Sequence, residues 1–131
     1  MIQTGGQDTA KSIFGEGFNN EFHSRLGFER RGILATPPPD PDISPHSVKN
    51  DSNFIITVAE ECRFLQGKCT VFGRVEGNTI FNAVQISEVE VSKGGRPCCQ
   101  LLPKILRTEV MENPFGAVAK DLISESAKKV E

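Results

Sequence analysis

Five of the chain's eight prolines fall between Pro37 and Pro45. Proline fixes φ and has no amide proton to donate, so such a density excludes helix and ladder-forming strand and favours extended, unpaired backbone. Residues 36–52, TPPPDPDISPHSVKNDS, are therefore read as an exposed loop. A P-x-x-P reading, as a ligand for an SH3 or WW module, is weaker because such matches are common by chance. Regular structure has to come from the chain on either side.

On the N-terminal side, residues 12–35 hold four of the nine phenylalanines, Phe14, Phe18, Phe22 and Phe28. Their spacing fits neither one helix face nor strand alternation. The stretch reads as an ordered loop whose aromatics plug into a core built elsewhere, ending in a short buried strand at 32–35. Residues 1–11 taken alone are polar, glycine-bearing loop.

Beyond the proline run, NFIITV at 53–58 is dense in β-branched and aromatic residues and reads as a buried strand. VFGRVE at 71–76 is a second, with a bulge or close backbone approach expected at Gly73. Between them, 63–68 ends in a glycine turn. TIFNAVQI at 79–86 predicts a helix, with Thr79 or Asn78 as N-cap and Ile80, Phe81, Val84 and Gln85 along one side. ISEVEV at 86–91 alternates as a half-exposed strand. A turn follows at 92–97, a last strand at 103–111, and a polar tail at 116–131.

A formal charge of −2 offers no basic stripe for nucleic acid. No run approaches the roughly 18 apolar residues of a membrane helix, and Met1 opens no signal region, so a soluble intracellular protein is expected. The cysteines at 62, 69, 98 and 99, with His23 and His46, lack zinc-site spacing and read as reduced thiols. Gly5-Gly6 begins neither a phosphate loop nor a dinucleotide fingerprint. No metal or cofactor is expected.

Several of these segments resemble one family. SIFG at 12–15, FNNEFH at 18–23 and GILA at 32–35 resemble the S-I-[YF]-G…DE-F-H…G-hydrophobic-L-[SA] passage of cyclophilin-type peptidyl-prolyl isomerases. FHSRLGFERRG at 22–32 looks most like the spliceosome-associated branch. Residues 53–75 resemble S-Q-F-F-I-T…W-L-D-G-K-H-[TV]-V-F-G-[RK]-V, and the segments from 77 to 115 again resemble that branch. Met1-Ile2-Gln3-Thr4-Gly5 is similar to the F-M-[IC]-Q-[TG]-G element, which ends the strand carrying the family's catalytic arginine.

The resemblance implies a mainly β fold: an antiparallel cyclophilin-like β-barrel, incomplete here because its opening strands and first helix are absent. Residues 1–115 would form this partial domain, with 36–52 as an insertion where the family has the M-A-N-A-G wall of its substrate groove. That wall would be missing or rebuilt, and 116–131 would be a frayed tail. Strands 53–57 and 71–75 are expected as neighbours in one sheet. A barrel lacking strands exposes two edges, so the chain as given should be marginal or need a partner.

Rotation about an X–Pro bond crosses a barrier of roughly 18–20 kcal/mol set by amide resonance. A catalyst lowers it with an apolar pocket for the ring and a cation that hydrogen-bonds the prolyl nitrogen in the twisted state. The resemblance assigns Met1 and Gln3 to the surviving end of the arginine strand, with the arginine itself falling before residue 1. Asn53 stands for a second glutamine, Ile55 for the pocket phenylalanine, Phe64 for the tryptophan and Cys69 for the histidine, while Leu65 matches. These seven form a remnant proline pocket without a catalytic residue. Arg25, Arg30 and Arg31 read as a solvated loop surface.

The resemblance thus implies a catalytically impaired protein-interaction module of pre-mRNA splicing assemblies, nuclear, with proline-containing peptides or splicing proteins as partners. The alternative is an active isomerase whose N-terminal part is missing from this sequence.

Overall fold

The computed structural model describes residues 1–6, 12–98 and 103–116. Among these residues there are six short strands: β1 (Ile2–Thr4), β2 (Phe18–Asn19), β3 (Ile33–Ala35), β4 (Lys49–Asn50), β5 (Phe54–Ile56) and β6 (Val71–Arg74). One helix, α1 (Ile80–Ser87), follows a 3-10 turn at Gly77–Thr79, and another 3-10 turn spans Arg63–Leu65. The main sheet has the order β1-β5-β3-β6 with antiparallel pairing throughout, and β2 pairs with β4 as a separate ribbon. Among the described residues, β1 and β6 are the edge strands of this sheet.

Register decides what is buried. Gln3 pairs with Ile55, Ile55 with Ala35, and Ala35 with Val71, forming one row across all four strands. Directly opposed residues share a face, and with Ile33 this row is the face turned to the core. Ala35 and Ile55 are fully buried. Phe28, Cys62, Leu65 and Cys69 close over it from the loops, completing the cluster.

Gly32 opens β3 with a φ of 83°, and a Cβ there would stand 3.2 Å from Ile80 Cδ1. Only glycine combines that backbone conformation with the close approach of α1. Its amide donates to Thr57 O at 2.6 Å, while the Thr57 hydroxyl accepts from Ile33 N at 3.0 Å, so the buried threonine is satisfied.

Several expectations are corrected. Strands 54–56 and 71–74 are not neighbours, because β3 lies between them and pairs with both. Of the four phenylalanines in 12–35, Phe28 alone enters the core at 1% exposure, whereas Phe14 is 64% and Phe22 40% exposed. Phe14 stacks edge-on against Phe18, and Phe22 against His46, so aromatic surface is covered locally in the loops. The irregularity near Gly73 is a bulge at Phe72, since β6 advances from Val71 to Gly73 while β3 advances one residue.

The helix is where 79–86 placed it, but Ala83 is its buried residue and Phe81 is 60% exposed. Thr79 does not cap it; its hydroxyl donates back to Glu76 O at 2.6 Å. The strand expected at 86–91 loses its first two residues to α1, leaving a single bridge between Val91 and Pro97. The segment 103–111, expected as a strand, pairs with no strand among the described residues and is exposed throughout, with Leu106 at 92% and Met111 at 88%. The loop 36–52 is less exposed than its prolines imply: Thr36 and Asn50 are buried and Lys49–Asn50 pairs with β2. Cys99 and the tail after Gly116 lie outside the described residues.

Candidate functional site

The 3-10 turn Arg63–Leu65 positions the centre of the site. It is tied to the aromatic loop by Cys62 N donating to Phe28 O at 2.9 Å, and closed by Leu65 N to Cys62 O and Lys68 N to Leu65 O. This brings Leu65 and, one turn on, Cys69 over Ile55. The three are 1%, 3% and 0% exposed, so no hollow opens between them. Burial pushes the Cys69 thiol up to about 11, with the Lys68 charge acting weakly the other way. A neutral, desolvated thiol is neither base nor nucleophile near neutral pH.

The other four sequence-predicted pocket residues do not join them. Gln3 stands at the exposed outer end of the Ile55 row. Met1 is 51% and Phe64 63% exposed. Asn53 lies against Gly6, where a Cβ would collide with its amide, and lines a cleft of about 400 Å³ with Pro37, Pro39, Ile43 and Val48.

The proline loop is held by Asn20, a residue no spacing argument singles out. Its Oδ1 accepts from Asn50 Nδ2 at 2.8 Å, Thr70 Oγ1 at 2.9 Å and Thr36 Oγ1 at 3.3 Å. Its Nδ2 donates to Pro45 O at 2.8 Å and Lys68 O at 3.3 Å. Thr36 Oγ1 also accepts from Thr70 N at 2.9 Å. One amide thereby fastens the proline loop to the end of the Leu65–Cys69 turn, using groups that burial would otherwise leave unpaired.

The guanidinium groups stand elsewhere. Arg31, Arg63 and Arg74 pair with Glu60 at 3.0 Å, Glu61 at 3.3 Å and Glu76 at 2.5 Å, all exposed enough to contribute little. Arg25 and Arg30 line a larger cleft, about 520 Å³, between their loop and β6. Leu26, Ile33, Val71 and Phe72 form its apolar lining, which sequence reasoning missed because it joins segments far apart in the chain.

Comparison with known proteins adds the following. Residues 1–110 match the family profile described as cyclophilin type peptidyl-prolyl cis-trans isomerase/CLD. The chain is 39% identical over 126 residues to the peptidyl-prolyl cis-trans isomerase CYP57 of Arabidopsis thaliana, covering 96% of this chain and 24% of that protein. It is equally similar, with the same coverage, to the spliceosome-associated protein CWC27 homolog of Xenopus laevis. The chain therefore spans about a quarter of the length of these curated relatives. Among solved structures, a cyclophilin type peptidyl-prolyl cis-trans isomerase of Cryptosporidium parvum superposes with a TM-score of 0.57 at 26% identity, covering 75% of this chain and 60% of that one. The same enzyme crystallised in the presence of the dipeptide Ala-Pro gives a TM-score of 0.53, over 70% and 54% of the two chains.

Proposed function

This chain belongs to the cyclophilin-type peptidyl-prolyl cis-trans isomerase family, and from that premise we propose that it is a catalytically impaired interaction module of pre-mRNA splicing assemblies. Splicing, and with it a nuclear location, is carried over from relatives such as the spliceosome-associated protein of Xenopus laevis. The partners are proline-containing segments of proteins.

Impairment rests on one observation. The residues matched to the proline pocket, Ile55, Leu65 and Cys69, are sealed into the protein's own core at 3% exposure or less. A prolyl ring would have to displace them before any group could act on its nitrogen. The side chain at the histidine position is a thiol held neutral by burial, a poor donor beside a twisting amide. Proline-rich or proline-containing chain is instead offered the outer surfaces around Asn53 and the Asn20-anchored loop.

A protease-coupled assay on a proline tetrapeptide tests this. The expected result is no acceleration above the uncatalysed isomerisation at any concentration of the chain. Turnover that rises with concentration and disappears in Leu65→Arg would sink the proposal, because it would require the sealed pocket to open.

A further inference from the structure

Two hydroxyl side chains of the sequence stand directly before a proline, Thr36 before Pro37 and Ser44 before Pro45, and both lie in the proline loop. Folding treats them in opposite ways. Thr36 is 2% exposed, and its Oγ1 donates to Asn20 Oδ1 at 3.3 Å while accepting from Thr70 N at 2.9 Å. Ser44 is exposed, as is every residue from 40 to 44, and its hydroxyl bonds to no described residue.

The backbone around Ser44 is a pair of local turns. Ile43 N donates to Asp40 O and Ser47 N to Ser44 O, each at 2.9 Å, with Pro41 and Pro45 second in their turns, the position that proline's fixed φ suits. The tie to the rest of the molecule comes one residue on, where Asn20 Nδ2 donates to Pro45 O at 2.8 Å and His46 rests edge-on against Phe22. None of these contacts uses an edge of the main sheet. Ser44 thus sits on a short anchored bend with its nucleophilic oxygen free, and drawing that bend into an enzyme's cleft does not disturb the core cluster.

Proline has no N–H, so an enzyme pocket without an acceptor for that group takes Ser-Pro and rejects serine followed by any other residue. No Lys or Arg lies between 40 and 48, so the proline and not flanking positive charge is the recognition element. We propose that Ser44 is a phosphorylation site for a proline-directed serine/threonine kinase. In the transfer Ser44 Oγ bonds to the γ-phosphorus of ATP and the bond from that phosphorus to the β–γ bridging oxygen breaks. ADP leaves, and the hydroxyl proton passes to the kinase's catalytic carboxylate. The product adds a charge of about −1.5 to −2 at neutral pH. With Asp40 and Asp42 within four residues and no nearby lysine or arginine to offset them, the outer surface of the loop becomes strongly acidic. The assignment goes beyond proline binding and does not depend on it, since the modification needs no occupant on the loop.

The experiment incubates the folded 131-residue chain with a proline-directed kinase of the mitogen-activated class, ATP and magnesium, and maps phosphate by intact mass and peptide fragmentation. One phosphate at Ser44 is expected. Ser44→Ala, which removes a hydroxyl without a partner and keeps the circular dichroism of the parent, should take none. A free peptide of residues 33–50 should accept phosphate at Thr36 as well as Ser44, because the fold no longer hides the threonine. A folded chain that takes no phosphate overturns the proposal. So does phosphate at Thr36 of the folded chain, or incorporation that survives Ser44→Ala. A peptide modified at Ser44 alone overturns its structural basis, because sequence and not folding would then choose between the two hydroxyls.

Discussion

Phe54-Ile55-Ile56 and Ile105-Leu106 are alike as sequence, two short runs of branched apolar residues, and they end in opposite places. Ile55 is fully buried with β1 on one side and β3 on the other; Leu106 is 92% exposed with no strand beside it. The difference is supply of a partner. An apolar run states a demand for burial, and a strand forms where a second segment can meet that demand in register. At 54–56 the loops carrying Phe28 and Leu65 also close over the row, whereas at 103–111 nothing among the described residues does.

The sharpest way to break this contrast is to truncate one side chain in each region. Ile55→Ala removes packing from the centre of the cluster and should cost about 2–5 kcal/mol, enough to unfold a small open sheet. Leu106→Ala should stay within about 0.5 kcal/mol. Urea denaturation followed by far-UV circular dichroism reads both. Equal costs would mean that 103–111 is packed in solution, by this chain or by another copy, and the two regions would cease to differ.

A smaller effect separates the regions by their polar contacts. Asn20 serves five partners from three segments, and Asn20→Ala would leave Thr36, Thr70 and Asn50 without their shared acceptor. The expected loss is about 1–3 kcal/mol, with faster amide exchange at Thr70 as the local sign. Asn113, whose side-chain Oδ1 accepts from Phe115 N two residues on, is the control. Asn113→Ala should change stability by less than about 0.5 kcal/mol. A tolerated Asn20→Ala would show that the proline loop is held by something other than this amide.

The same contrast explains what was legible beforehand. β3, β5, β6 and α1 were readable because dense apolar runs bounded by glycine and charge coincide with segments that do find partners. The motif resemblance also put Met1 and Gln3 at the end of a strand, and β1 is found there at Ile2–Thr4. The order of β3 between β5 and β6 was not legible, since adjacency depends on loops whose paths leave no periodic trace. For the site, the structure packs Ile55, Leu65 and Cys69 into one cluster, but their closure into core was not foreseen because it is Phe28, from a glycine-rich loop, that seals them. Asn20 was invisible for a related reason: a hub is defined by partners sixteen to fifty residues away.

The smallest effect concerns two of the thiols, one in the core and one on the surface. Cys98 is exposed and Cys69 buried, so an alkylating reagent in native buffer should modify Cys98 first and reach Cys69 only on unfolding. Burial also raises the Cys69 thiol from 9.0 to about 11, which fixes a sign for the pH dependence. Between these values the unfolded chain has released the proton and the folded chain has kept it, so folding stability falls as pH rises. The stabilisation is fully present below about 9 and is gone once pH passes about 11, a change of at most about 3 kcal/mol. Cys69→Ala should remove this component. A wild-type curve that parallels the alanine variant across that window would mean the thiol sees water, and the seal over the pocket would then be looser than Phe28 and Leu65 make it.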